Sequence, residues 1–371
     1  MVEGASSLAT WIQTLLQLLW MLFIVMLILG FNQRLQVYLW VRDIRSKMVI
    51  LDSLASEARN RTLDFLLKNN AKNPETLLNR VQENFVIEPV TIEPTDIIKR
   101  LEHLFNIRVR RFKEDFEKAL SDVDEVVRGK AEVAAEITAV LNFIHKLVRH
   151  YLLLGEKTNN WVLIMQLQLQ LSQILQIAST YRRALEDFLE GRPVGDAAGP
   201  MTAVRLAGPN AKWIEIERDT TYTEVDFEGR KLFIIKAKGP APEVGKPGSA
   251  VEKIVKSLAE KGRTPSLIIT VDAALKLEGE DSGTIADGVG AAIGDPGPEK
   301  IKFERVAAEY GIPLRAVIIK MSLEEAVMAV DKKIYEGVEK AVERVKEIIR
   351  SESSPGDVVI VAGIGNTGGV V

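Results

Sequence analysis

The chain has 371 residues, 47% hydrophobic and 27% charged, with a net charge of −3, a balance that suits two or three folded domains and advertises no nucleic-acid surface. It contains no cysteine, which excludes disulfides, thiolate nucleophiles, iron–sulfur clusters and cysteine zinc sites. Its histidines, His103, His145 and His150, all lie in the first half, leaving no imidazole for chemistry in the second.

From Gly4 to Gln33 no side chain is charged, and the run LLQLLWMLFIVMLILGF is long enough to cross a hydrocarbon core of ~30 Å. The expectation is a transmembrane helix from Trp11 to Gly30 within an anchor over 1–33, with the lipid bilayer as its partner. A cleaved signal peptide fits poorly, since Glu3 precedes the apolar run and no small-residue cleavage site follows it. Arg34, Arg42, Arg45 and Lys47 follow the run, so the positive-inside rule predicts a single-pass protein of the cell membrane. Its N-terminus would lie outside and its C-terminal domains in the cytoplasm.

Residues 34–190 read as almost all helix, a bundle or coiled coil suited to homo-oligomer formation. Pro74, Pro89 and Pro94 punctuate it, and Thr95-Asp96 can cap the helix that follows. The stretch from Thr158 to Tyr181 is uncharged, but Gln166, Gln168, Gln170, Gln173 and Gln176 argue against a second span, because unsatisfied amides are costly in hydrocarbon. Although QLQLQL alternates like a strand, its flanks keep helical spacing, which predicts a helix packed in a bundle or an oligomer core. His145 and His150 are five apart, off the spacing that puts two ligands on one helical face.

After Gly191 the texture changes. KWIEIER, TYTEVDF and KLFIIKAK read as strands, with Glu228-Gly229 as a turn. VEKIVKSLAEKG reads as a helix, SLIITVDAA as a buried strand, IKFERVAAEYG as a helix and LRAVIIK as a strand. SLEEAVMAVDKKIYEGVEKAVERVKEIIR reads as one long amphipathic helix, with Ser322 as its cap and Glu325 at capping-box spacing, and DVVIVAGIG as a last strand. The fold class expected is therefore α plus α/β: a transmembrane helix, a long-helix middle, and a mostly parallel α/β sandwich domain over 191–371.

Ligands of such sheets sit beyond the carboxyl ends of the strands, where the glycine-rich loops KAKGPAPEVGKPG, DAALKLEGEDSG and GIGNTGG fall. Asp272 ends a buried strand, and Asp196 lies in a turn before a helix. Two carboxylates brought together could share a proton or hold a cation. Lys238 and Lys320 end strands and could serve as anion or oxyanion partners. Glu278 and Asn366 are further polar candidates. Gly363-Ile-Gly-Asn-Thr-Gly368 matches GxGxxG, but the sequence ends at Val371 with no helix to receive a pyrophosphate, so no dinucleotide or other cofactor is implied.

The strand running into Gly-Ile-Gly-Asn resembles the first strand of hydrogenase maturation peptidases, spore germination proteases and peptidyl-tRNA hydrolases, which share a phosphorylase/hydrolase-like α/β fold. In the first two families that strand continues into an acidic Gly-Pro turn opening a helix. Here the turn is Asp196-Ala-Ala-Gly199-Pro200, far earlier in the chain, so the domain looks like a circularly permuted relative. Ile268–Ala274 is similar to the strand ending in Asp-Ala. TIADGVGAAIG, with Gly288, and YGIPLRAVIIKMSLEEAV are similar to the germination-protease pattern. The resemblance implies Asp196 and Asp272 as the essential acidic pair, a protein or peptide substrate, and Gly199, Gly288 and Asn366 at the binding loops. The nickel-binding peptidases add a histidine ligand that this domain lacks, so no metal is implied. As a whole the chain also resembles an uncharacterised archaeal membrane-protein family with PVGD…GP, KAKGP, VDAALKLEGE and GNT segments. Two readings stand: a membrane-tethered hydrolase using the aspartates with Lys238, and a non-enzymatic oligomeric scaffold or ligand sensor.

Overall fold

The structure, a computed structural model, describes residues 15–21, 24, 31–83, 96–294 and 297–371. The expected anchor falls mostly outside them: only 15–21 and 24 are described, and they are helical. Among the described residues no helix is long and apolar enough to cross a membrane. The first long helix, α1 (Phe31–Lys68), carries Arg34, Arg42, Asp43, Arg45 and Lys47 within its first half. The transmembrane helix, the single-pass topology and the cell-membrane placement drawn from the sequence are therefore not supported by the described residues.

The chain forms two compact units, residues 1–54 with 142–178 and residues 55–141 with 179–371. The helices after α1 are α2 (Pro74–Gln82), α3 (Ile97–Ala119), α4 (Glu125–Lys157) and α5 (Trp161–Glu190). The helical run is interrupted before Pro74, which starts the next helix, where its missing N–H costs nothing. The Asp96 side chain makes no cap bond and instead pairs with Arg100 at 2.9 Å, while Pro89, Pro94 and Thr95 lie outside the described residues.

In the first unit the alternating QLQLQL segment is helical, part of α5. Gln168 donates to Asp43 at 2.7 Å, so one of the glutamines is held by a carboxylate. His145 lies 3.6 Å from Asp52, a carboxylate neighbour that the sequence did not reveal. In the second unit Leu66, Leu78, Phe116 and Leu120 share a helical core with Ala131 and Ala135, and Thr62 and Thr138 satisfy each other within it at 2.9 Å.

A turn of 3₁₀ helix (Gly195–Ala197) leads into α6 (Ala198–Ala207), then β1 (Ile214–Glu217), β2 (Thr220–Phe227), β3 (Arg230–Ala237), α7 (Pro247–Ala259), β4 (Leu267–Leu275), β5 (Ile285–Val289), α8 (Pro298–Tyr310), β6 (Leu314–Met321), α9 (Leu323–Val327), α10 (Lys332–Glu352) and β7 (Val358–Gly363). Glu228 and Gly229, both at positive φ, close the β2–β3 hairpin with the backbone hand its twist requires. The seven strands run β1-β2-β3-β7-β4-β6-β5. Only β3, β7, β4 and β6 are mutually parallel; β1, β2 and β5 pair antiparallel. The sheet is thus mixed, not mostly parallel, because the short turns joining β1, β2 and β3 allow only hairpins and β5, joined to β6 through α8, pairs with it antiparallel.

The strand that ends the sequence lies at the sheet's centre. Alternate residues of the parallel strands feed two cores: Leu232, Ile269, Val271, Val317 and Val361 pack on α6 and α10, while Phe233, Ile235, Ile268, Ile360 and Ala362 pack on α7 and α8. Both faces are covered, so the strands are apolar on both sides. The single long helix read from Ser322 onward is two. Ser322 makes its capping box with Glu325, but the chain then extends through Ala329, which bridges Val194, and Asp331 caps α10 at Ile334 N. That bridge pins the turn bearing Asp196 to the carboxyl edge of the sheet.

Candidate active site

Two backbones approach each other closely at that edge. A Cβ at Gly199 would lie 2.2 Å from the Ile364 carbonyl oxygen and 2.4 Å from that of Val271. Only glycine lets the start of α6 sit directly on the ends of β7 and β4. Gly365, at a φ of 129°, passes so near the turn that a Cβ would lie 1.9 Å from the Asp196 carbonyl oxygen.

This packing brings Asp196 and Asp272 together. Asp272 leaves β4 on the α7/α8 side, next along that face after Ile268 and Thr270, and is 5% exposed. Its Oδ1 accepts the Ala273 N–H at 2.7 Å, and the Gly294 amide also donates to it. Asp196 Oδ2 accepts the Asn366 N–H at 2.8 Å, from the loop that follows β7. Burial, reinforced by the Asp196 charge, pushes the Asp272 carboxyl up to about 8 against the pull of those two amides. Burial also raises Asp196, partly offset by the Asn366 amide. No lysine or arginine contributes to either shift. A pair of buried carboxyls with no cation keeps one proton between them at neutral pH and titrates as a unit.

The other sequence candidates fall elsewhere. Lys238 turns its ammonium to Glu125 at 3.2 Å and Glu215 at 3.5 Å. Lys320 pairs with Glu280, and Glu278 is exposed in the turn beside it. Gly288 sits in the edge strand β5 opposite Ala316, in open space. Asn366 reaches the pair through its backbone, while its side chain accepts the Gly368 N–H at 2.7 Å. The structure therefore gathers Asp196, Asp272, Gly199 and the Asn366 amide, and leaves Lys238, Lys320, Glu278 and Gly288 apart from them. It adds the Ala273 and Gly294 amides, whose only sequence signal is a small residue at each position. Among the described residues no group of three or more histidine, aspartate or glutamate side chains could hold a metal ion.

The loop holding Asn366 is itself fixed. Thr367, fully buried, donates toward the Lys238, Ala241 and Glu243 carbonyls at 2.9–3.1 Å, and its N–H bonds the Glu243 carbonyl at 2.9 Å. Glu243 carries this lock to a second acidic cluster. Lys113 of α3 lies 2.5 Å from Glu243 and 2.8 Å from Asp219, with Glu132 of α4 nearby. Burial opposes the Lys113 charge, but Glu243 and Asp219 outweigh it and hold its pKa above the ordinary value. Burial pushes Glu132 up to about 8, against Lys113 and with Glu243.

The fold and site define a two-sided mixed α/β domain carrying a buried aspartate pair at the carboxyl edge of its parallel strands. The chain belongs to the DUF1512 family: residues 18–191 match its N-terminal domain, described as a protein of unknown function, and residues 194–371 its C-terminal domain of unknown function. No curated protein matches it.

Proposed function

We propose that the C-terminal domain is a hydrolase in which Asp196 and Asp272 act as a proton-sharing pair on a peptide or other amide substrate. The carrying observation is the buried, cation-free placement of the two carboxyls, with Asp272 protonated to about pH 8 and Asp196 close enough to raise it. In this reading ionised Asp196 takes a proton from water, whose oxygen attacks the carbonyl carbon, while protonated Asp272 gives its proton to the carbonyl oxygen. Collapse of the tetrahedral adduct then returns a hydroxyl proton to Asp272 and breaks the C–N bond, and the amine leaves with the proton that Asp196 took. The resemblance of the Asp196 turn, the Asp272 strand and the Gly-Ile-Gly-Asn strand to germination proteases and hydrogenase maturation peptidases supports the same reaction class.

The test is hydrolysis of a fluorogenic peptide library by the full chain and by Asp196→Asn and Asp272→Asn. Each variant should lose at least about 10²-fold in kcat/KM, the scale of a positioned acid or base. Wild-type activity should fall as pH rises past about 8, where the shared proton leaves. Equal activity in wild type and both variants would sink the proposal.

A second reading, a self-associating scaffold, has its own observation. In the first unit Phe143, Leu147, Tyr151 and Leu154 recur at helical spacing along α4 and all stand exposed, Phe143 by 62%. A face of this kind favours burial against a second copy. Light scattering of wild type against Phe143→Ser/Leu147→Ser separates the readings: a mass halved by the change supports self-association, and a monomer in both cases removes it.

A further inference from the structure

At the other end of the sheet from the aspartate pair, a cavity of 220 Å³ opens between the face of β1–β3 and the last turns of α7. Its floor is aromatic and apolar: the Tyr222 and Phe233 rings stack 6.0 Å apart and 17° from parallel, beside Ile254 and Leu258. Its rim is basic, with Lys231, Lys253, Lys261 and Arg263 against one acid, Glu224. Two of these cations are already answered. Lys231 pairs with Glu224, and Lys253 lies 2.9 Å from Glu217. Lys261 and Arg263, both exposed, form no ion pair among the described residues.

Cations just past the C-terminus of α7 answer its helix dipole, and that would account for Lys261 and Arg263 alone. It does not account for the cavity they border or for its stacked aromatic floor. In a chain of net charge −3, two uncompensated cations at the mouth of an aromatic-floored cavity form a site of definite chemistry. We infer that this cavity binds a phosphate monoester carrying a planar ring. The ring lies on the floor lined by Tyr222 and Phe233, and the phosphate meets the Arg263 fork and Lys261. The cavity falls below the roughly 300–1,000 Å³ of sites for drug-sized ligands, which limits the occupant to about a mononucleotide. The site takes no residue from the aspartate pair, so it stands whether or not that pair is catalytic.

Calorimetric titration of the full chain at low ionic strength tests it, with adenosine 5′-monophosphate, adenosine and inorganic phosphate as probes. The monophosphate should bind saturably, and adenosine and phosphate at least about tenfold more weakly, because each offers half of the recognised group. Lys261→Glu/Arg263→Glu should weaken the monophosphate at least about tenfold while leaving the thermal transition in place, both side chains being exposed. Asp272→Asn should leave the affinity unchanged. The inference is overturned if the monophosphate does not saturate, if phosphate alone binds as well, or if the charge-reversed variant binds as tightly as wild type.

Discussion

Two acidic clusters in the second unit each hold a carboxyl protonated to about pH 8, yet they are built on opposite plans. Around Lys113 the carboxylates of Asp219 and Glu243 share a fixed cation, and Glu132 is the surplus acid that stays neutral. Around Asp272 there is no cation among the described residues: three backbone amides, those of Ala273, Gly294 and Asn366, serve the two aspartates, and the remaining counter-charge is a proton. A lysine holds its cluster in place and cannot be handed on. A shared proton can be given to a substrate and recovered. This contrast, more than the raised pKa itself, separates the structural cluster from the candidate active site.

Removing the lysine should produce the largest effect. Lys113→Met leaves Glu243 without its counter-charge and Asp219 with only Arg218, at 3.4 Å, and should cost about 3–5 kcal/mol in urea unfolding near pH 8. The loss should shrink toward pH 5, as carboxyls protonate in place of the missing cation. A cost independent of pH would mean that Lys113 acts by packing, and the contrast between the clusters would fail.

The aspartate pair should behave in the opposite sense. The folded chain keeps the Asp272 proton up to about pH 8, while the unfolded chain releases it near its ordinary value of 3.8. Unfolding therefore releases a proton between those limits, and raising the pH favours unfolding by up to roughly 1.4 kcal/mol per unit from this group. The stability that Asp272 confers is complete below about pH 4 and is lost as pH climbs through about 8. Asp272→Asn, which carries no proton to lose, should gain on wild type by up to about 3 kcal/mol between pH 5 and pH 7. No relative gain across that window would mean that Asp272 is ionised in the folded protein.

The close backbone approach can be tested with one methyl group. Gly199→Ala drives a Cβ into two carbonyl oxygens, so α6 must lift from β7 and β4. The cost should be about 1–3 kcal/mol, with a lower Asp272 pKa as the Asp196 charge moves away. An unchanged titration of the pair, followed by carboxyl NMR, would show that the turn does not depend on this contact.

Much of the domain was legible in the sequence because its central strands are β-branched runs ending in polar turns: KLFIIKAK, SLIITVDAA and DVVIVAGIG. β5 was not, since TIADGV carries Asp287 and Gly288 and becomes a strand only through pairing with β6. The break between α9 and α10 was hidden because EAVMAVDKKIYE keeps helical spacing, and only the bridge from Val194 to Ala329 pulls the chain out of it. Sequence similarity singled out Asp196 and Asp272, yet the groups that hold them are backbone amides, which no side-chain pattern encodes. Lys238 and Lys320 ended the right strands, but their long side chains follow the nearest carboxylates, Glu125 and Glu280. Composition also suggested a membrane span across 11–30, most of which lies outside the described residues, and no described helix is long and apolar enough to cross a membrane.

The smallest expected effect tests whether the two clusters are coupled. Thr367 stands between them: its hydroxyl and amide tie the loop after β7 to the segment bearing Glu243, and the preceding amide holds Asp196. Thr367→Val keeps the shape and removes the hydroxyl, leaving buried carbonyls of the Lys238–Glu243 loop without that donor. The cost should be about 1–2 kcal/mol. If the loop carries strain from one cluster to the other, the variant should also loosen the Asn366 amide from Asp196. That amide lowers the Asp196 pKa, so its loss should raise it. The double variant with Lys113→Met should then cost less than the sum of the two single changes, because both release the same loop. Strict additivity, with Asp196 titrating as in wild type, would leave the clusters as independent features that share only their chemistry.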